Sequence, residues 1–156
     1  LEPLVQRAAA TASLQGRPWH PPSCLPNWHG DSGAVAEILA NLLNNAFRYS
    51  PSGTAIGLDC QALASGDWQL TVWDGGEPIA ENERQAIFEQ GFRGRQGQGR
   101  PGTGLGLALA RDLARSLGGE LNLVLPPAAV AGQLPERGNA FCLRLPAAAP
   151  NPATVP

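Results

Sequence analysis

The sequence lacks two residue types altogether, methionine and lysine. All 11 basic residues are arginine, so any cationic side chain that contacts a phosphate group must be a guanidinium. Because the chain has no methionine, it does not begin at a retained initiator residue, and we expect it to be a piece of a longer protein.

Strong net charge and long hydrophobic runs are also missing. The formal net charge of -2 argues against nucleic-acid binding, which needs a basic surface to displace counterions. No apolar run approaches the roughly 18 residues that a membrane helix requires, and no signal peptide is expected. Since 43% of the residues are hydrophobic, the composition predicts a folded globular domain with no nucleic-acid partner and no direct membrane insertion.

Cysteine is scarce. The three cysteines, Cys24, Cys60 and Cys142, are odd in number, far apart and not accompanied by histidine pairs. A disulfide framework or a zinc site would need better spacing, so we expect buried, reduced thiols in a cytosolic protein.

Periodicity and turn residues predict one domain of mixed helices and strands, with a glycine-rich loop in its second half. Residues 1–16 are predicted to be the tail of a preceding helical region, 17–146 the domain, and 147–156 a disordered tail. After an extended stretch at 17–30, the elements expected are helices at 33–49, 81–90 and 105–117 and strands at 54–62, 68–73, 120–125 and 139–145. The two strands at 54–62 and 68–73 are expected to form a hairpin.

The helix predicted at 33–49 has one apolar and one polar side. The apolar side is expected to face the core. The polar side contains Glu37, Asn41, Asn44, Asn45 and Arg48. A solvated surface accounts for such a stripe, and so does an amide-lined wall for a hard cation and a phosphate.

Two glycine-containing segments have similarly open interpretations. Asp74 ends an apolar strand and precedes Gly75 and Gly76, which suits either an ordinary turn or close approach of a ring to the backbone. The segment G-T-G-L-G-L at 102–107 opens a helix, where backbone N–H groups form an anion site. It is neither a P-loop nor a dinucleotide fingerprint.

Taken in order, the segments N-x-x-x-N-A, D-x-G, F-E-x-x-F-R-G and G-T-G-L-G-L closely resemble the N, G1, F and G2 boxes of the histidine kinase catalytic domain. That domain belongs to the Bergerat-fold ATPase superfamily, which includes gyrase B. The resemblance covers about residues 30–146. It implies an α+β fold: a two-layer α/β sandwich whose mixed, mostly antiparallel sheet is covered on one face by about three helices, with a glycine-rich ATP lid.

The resemblance implies ATP and Mg²⁺ as ligands and assigns residues to them. Asn45 is the expected magnesium ligand, Asn41 lines the phosphates and Arg48 touches phosphate, these three forming the catalytic set. Tyr49 stacks near the adenine in this assignment, although an ordinary boundary aromatic is equally compatible with the sequence.

The remaining assigned residues come from the G1 and G2 boxes. Asp74 is the expected adenine reader, with Gly76 and Ile79 beside it. The phosphates are expected to lie against Gly102, Thr103, Gly104, Leu105 and Gly106. Residues 93–102 correspond to the lid, which Phe88 and Phe92 would anchor.

Two positions depart from the family pattern. Pro78 replaces the second glycine of the G1 box and removes an N–H, which alters the turn below the adenine. Gly91 replaces an aromatic residue in the F box, which puts the anchoring of the lid in doubt.

The resemblance favours a kinase over a hydrolase. Hydrolases of this superfamily place a glutamate one turn before the magnesium asparagine, but that position is Asn41, which is not a base. Glu37 lies two turns from Asn45, about 12 Å by helix rise. The expected reaction is therefore transfer of the ATP γ-phosphoryl group to a histidine on a separate dimerisation domain of the same parent protein, for relay to a response regulator.

Neither His20 nor His29 lies in a helical acceptor motif, so the chain is not expected to phosphorylate itself. Two alternatives stay open, namely an anti-sigma-type serine kinase and a non-catalytic nucleotide sensor. The domain is expected in the cytoplasm, with a parent protein that is either soluble or membrane-anchored.

Overall fold

The computed structural model describes residues 1–26, 28, 30–89 and 106–147. Within these ranges the chain forms three α-helices and five strands. The helices are α1 (Glu2–Leu14), α2 (Ser32–Tyr49) and α3 (Gly106–Ser116). The strands are β1 (Trp19–His20), β2 (Ile56–Ala62), β3 (Trp68–Asp74), β4 (Glu120–Val124) and β5 (Asn139–Leu145).

The five strands form one open, mixed sheet in the order β1-β2-β3-β5-β4. Strand β1 pairs with β2 in parallel, and all other neighbours are antiparallel. Strands β2 and β3 form the expected hairpin. The predicted α+β fold, with a mixed and mostly antiparallel sheet, is confirmed.

The hydrophobic core lies between one face of the sheet and the helices. Alternate residues of each long strand point into it because side chains of a strand alternate between faces. Leu58, Leu70 and Leu143 are at most 2% exposed, and Leu39 and Leu42 of α2 are fully buried against them. The apolar face predicted for α2 is therefore the core-facing one.

Helix α2 begins and ends where its sequence predicts. The Asp31 carboxylate accepts a hydrogen bond from the Ala34 N–H at 3.0 Å and so caps the first turn. At the other end the helix stops at Tyr49, because Pro51 drives Ser50 into an extended conformation. These two ends fix the register of the polar side.

Two local predictions were wrong. The helix expected at 81–90 is instead two 3₁₀ turns, Glu81–Glu83 and Ala86–Phe88, because the segment has no apolar stripe and only Ile87 of the two turns is buried. Cys24 was expected to be buried but is exposed, since it lies in the proline-rich connection after β1. The Cys24 thiol lies 3.7 Å from the Cys60 carbonyl oxygen. The Cys60 thiol itself is buried, and burial raises its pKa to about 12.

Helix α1 packs against α2, and its Leu4 and Ala8 belong to the same core. Its end at Leu14 agrees with the stop expected near Gly16. The division of the chain at 16 and at 146 stays a prediction, and residues 148–156 lie outside the described ranges. No helix in the described ranges is long and apolar enough to span a bilayer.

Candidate functional site

The candidate site centres on Asp74, the last residue of β3. Its side chain is buried, with the residue 7% exposed. One carboxylate oxygen, Oδ1, accepts a hydrogen bond from the Gly76 N–H at 2.9 Å and lies 3.5 Å from Nδ2 of Asn139. The carboxylate is therefore held in one orientation at the point where the sheet ends.

Asn139, the first residue of β5, holds the turn that follows Asp74. Its Nδ2 donates to the Glu77 carbonyl at 2.9 Å, and its Oδ1 accepts from the Ile79 N–H at 2.8 Å. The side chain thus replaces backbone pairing in a turn where Pro78 has no N–H to donate. The Asn139 side-chain amide therefore links the backbone of Ile79, a predicted site residue, to the Asp74 carboxylate.

Burial is the main influence on the Asp74 carboxyl and raises its pKa above the usual aspartate value. The Gly76 N–H, the Asn139 amide and the positive charge of Arg17 act in the opposite direction. A buried carboxylate with these partners is a strong acceptor for a ligand N–H, because solvent competes little for it.

Gly76 brings the turn against the end of α2. A Cβ added at Gly76 would lie 2.9 Å from Asp74 Oδ1 and 2.9 Å from Pro51 Cδ, closer than a side chain tolerates. The absence of a side chain therefore lets this turn pack directly against the Asp74 carboxylate and the residues that follow α2.

The polar side of α2 is partly buried rather than fully solvated. Asn41 and Asn45 are half-buried, whereas Asn44 and Arg48 are exposed. The Nδ2 atom of Asn41 is buried, and no described residue accepts a hydrogen bond from it. A buried donor left in this state is costly, so an acceptor from a bound ligand would stabilise it. The guanidinium carbon of Arg48 lies 6.0 Å from the centre of the Tyr49 ring.

Helix α3 begins at Gly106 and packs against α2, so the predicted phosphate-binding segment directly precedes a helix that contacts α2. Gly102, Thr103, Gly104 and Leu105 lie outside the described residues, as do the predicted lid and Phe92.

Phe88 lies within the described ranges and is well anchored. The Arg111 guanidinium stacks over the Phe88 ring at 3.6 Å and donates to the Leu121 carbonyl at 3.0 Å. Phe141 meets the same ring edge-on at 6.2 Å. These contacts connect the F-box segment with α3, β4 and β5.

The structure brings Asp74, Gly76 and Ile79 close together, and it adds Asn139 and Arg17, which sequence reasoning missed. Asn139 lies 65 residues from Asp74 and the Arg17 side chain reaches over 30 residues, so neither contact has a local signature. The predicted roles of the site residues toward a ligand stay predictions.

The model of the histidine kinase-, DNA gyrase B-, and HSP90-like ATPase family matches residues 30–149. This chain therefore belongs to that family. Membership implies that it binds ATP.

Three individual proteins show the similarity to sensor histidine kinases within this family. The chain is 40% identical over 150 residues to sensor histidine kinase Hik2 of Thermosynechococcus vestitus, a match that covers 94% of this chain and 37% of the relative. The mycobacterial sensor histidine kinase MprB superposes with a TM-score of 0.76 at 26% identity, covering 96% of this chain and 97% of that one. Full-length ShkA, solved in complex with AMPPNP, gives 0.71 at 27%, covering 96% and 30%. The chain thus spans well under half the length of Hik2.

Proposed function

We propose that this chain is the ATP-binding kinase half of a sensor histidine kinase. The observation that carries the proposal is the buried Asp74 carboxylate, which Gly76 and Asn139 orient beside the end of α2. The similarity to named sensor histidine kinases supports the choice of reaction.

Asp74 is assigned to the adenine ring. Its Oδ1 is engaged by Gly76 and Asn139, so the second oxygen, Oδ2, accepts from the exocyclic amine. Guanine presents a carbonyl oxygen at the corresponding ring position, and two acceptors repel. The ring is assigned to the turn at Gly76, which packs closely against the Asp74 carboxylate and Pro51. Ile79 and Tyr49 complete this end of the site.

The phosphates are assigned to the space between α2 and the start of α3. Asn41 supplies the buried Nδ2 donor, and Arg48 supplies positive charge. Residues 102–106 supply backbone N–H groups. Asn45 is assigned as a magnesium ligand through its amide oxygen, and the bound ion would neutralise charge on the phosphates.

The role of these residues is to position ATP rather than to activate water. Asn41 is not a base, so the side chain one turn before Asn45 does not take a proton from a water molecule. An imidazole nitrogen from the dimerisation domain attacks the γ-phosphorus in line, and the bond to the bridging oxygen breaks to release ADP. We propose that the dimerisation domain belongs to the same parent protein, that a response regulator receives the phosphoryl group, and that the reaction occurs in the cytoplasm.

The test of this proposal is phosphotransfer with γ-labelled ATP to the dimerisation domain of the parent protein. We expect acid-labile, alkali-stable label on that domain's histidine and none on the isolated chain. Replacing Asn45 with alanine is expected to lower the rate at least about 100-fold, because a group that holds charge against the reacting phosphates is lost.

Asn44→Ala is the matched control, since it removes the same kind of side chain from the position just before Asn45, where the side chain is exposed. Its rate should stay within about twofold of wild type. Equal losses in both variants would contradict the assignment of Asn45. Acid-stable label would indicate a hydroxyl acceptor and contradict a histidine kinase.

The titration of Asp74 provides a second test. Because burial raises its pKa, the Asp74 carboxyl in the nucleotide-free protein should titrate above about 4, the ordinary value. Its protonated form is favoured by folding, so its contribution to stability grows as pH falls through the folded-state pKa. ADP should lower the midpoint, since the adenine amine binds the carboxylate form. NMR of the carboxyl carbon measures both, and a midpoint that ADP leaves unchanged would contradict adenine recognition by Asp74.

A further inference from the structure

Arg17 is a buried arginine that sequence reasoning did not connect with the site. It is 6% exposed, and its guanidinium has partners on every nitrogen. Nε donates to the Thr54 carbonyl at 3.0 Å, Nη1 to the Phe47 carbonyl at 3.2 Å, and Nη2 to Thr54 Oγ1 at 2.8 Å and to Ser50 Oγ. Nη1 also contacts Gln15 Oε1 at 3.3 Å.

These partners hold the last turn of α2 in place. Phe47 and Ser50 flank Arg48 and Tyr49, two residues of the proposed site. The Arg17 guanidinium also lies 5.6 Å from the centre of the Phe47 ring. A cation at a helix C-terminus is favourable, because carbonyl groups there have no partner within the helix.

The Arg17 backbone is fixed independently. Its N–H donates to the Ala12 carbonyl at 2.9 Å, and the Gly16 N–H donates to the Ser13 carbonyl at 3.1 Å. These two bonds close the C-terminal end of α1. The Arg17 side chain therefore extends to the end of α2 from a backbone that hydrogen bonds hold in place.

Arg17 also acts on the carboxylate. Its positive charge opposes the effect of burial on the pKa of Asp74, although the two side chains are not directly hydrogen-bonded. The Gly76 N–H and the Asn139 amide, which do contact Asp74, are uncharged. Burial lowers the pKa of Arg17 in turn, but a guanidinium stays protonated at neutral pH.

We propose that Arg17 is a positioning residue of the nucleotide site, which holds the last turn of α2 in place through its fork of hydrogen-bond donors. This inference rests on the proposed adenine-binding role of Asp74. It assigns the support of α2 to the hydrogen-bonded fork of donors, while the charge of the same side chain acts on the Asp74 carboxyl in addition.

Two substitutions separate these functions. Arg17→Gln removes both the charge and the planar fork, whereas Arg17→Lys keeps the charge and loses only the planar fork. Arg144→Gln is the matched control, since it removes an arginine that pairs with Asp67 on an exposed surface. For each protein, calorimetry measures the Kd for ADP, NMR measures the titration midpoint of the Asp74 carboxyl, and thermal unfolding shows that the variant is folded.

Arg17→Gln is expected to raise the Asp74 midpoint and to weaken ADP binding about tenfold or more. Arg17→Lys is expected to leave the midpoint near wild type while weakening binding about fivefold. Arg144→Gln should change neither quantity. The proposal is overturned if either Arg17 variant, once shown to be folded, binds ADP with the wild-type Kd.

If Arg17→Gln does not fold, Arg17→Lys decides the matter, and a wild-type Kd in that variant overturns the proposal. The controls also separate this inference from the proposed function. Failure of the wild-type chain to bind ADP would refute the proposed function, while the Asp74 midpoint in the nucleotide-free variants would still test the electrostatic action of Arg17.

Discussion

Replacing Asp74 with asparagine is expected to weaken ATP binding at least about 100-fold, about 2.7 kcal/mol. The amide oxygen would keep accepting the Gly76 N–H, as Oδ1 does in the native chain. The amide nitrogen would then face the exocyclic amine of adenine, donor against donor. A hydrogen bond to a charged group contributes about 1.5–3 kcal/mol, and its replacement by two opposed donors removes all of it. Calorimetric titration measures the change.

Asp67→Asn makes the same chemical change far from the site. Asp67 lies in the turn between β2 and β3 and pairs with Arg144 at 3.0 Å on an exposed surface. Its loss should cost less than about 1 kcal/mol of stability and leave the ATP affinity unaltered. If both aspartate variants bound ATP as the wild type does, adenine recognition by Asp74 would have to be abandoned.

The largest expected effect on stability is that of Gly138→Ala, at least about 3 kcal/mol. Gly138 has φ +131°, a conformation that residues with a side chain rarely adopt. An added Cβ would lie 1.9 Å from the Asp74 carbonyl oxygen and 3.0 Å from the Gly75 Cα. Strands β3 and β5 must separate locally to admit it, and the nucleotide affinity of the folded fraction should fall with them. Urea denaturation measures the free energy of unfolding.

Gly132→Ala is the control for this substitution. An added Cβ at Gly132 meets no atom within 4 Å, so the change in stability should stay within about 0.5 kcal/mol. Comparable stability of the two alanine variants would show that the close approach of Gly138 to Asp74 does not hold the site together.

Much of the fold follows from local patterns in the sequence. The apolar stripe of α2, the cap at Asp31 and the stop before Pro51 fix that helix, and each depends on residues close together in the chain. The β2–β3 hairpin follows from two alternating runs around a short turn. The ordered glycine and asparagine segments then indicated the family, which its family model confirms.

What the sequence could not predict depends on non-local contacts. Strand β1 is two residues long, too short for any periodicity, and exists because it pairs with β2. In the sequence Asn139 is an ordinary strand residue, and only the pairing of β3 with β5 places it opposite Asp74. Arg17 follows a helix and has no motif, yet it contacts the end of α2. The sequence therefore did not reveal the residues that support the site, whereas its motifs did reveal the residues assigned to the ligand.

The central claim is that the asparagine side of α2, the Asp74 turn and the start of α3 meet around one adenine nucleotide. A crystal structure of the chain with magnesium and a non-hydrolysable ATP analogue tests it most directly. We expect the adenine amine within hydrogen-bond distance of Asp74 Oδ2, a phosphate oxygen that accepts from Asn41 Nδ2, and the metal ion bound to Asn45. A nucleotide bound away from Asp74, or a purine ring that contacts neither Asp74 nor Gly76, would contradict it.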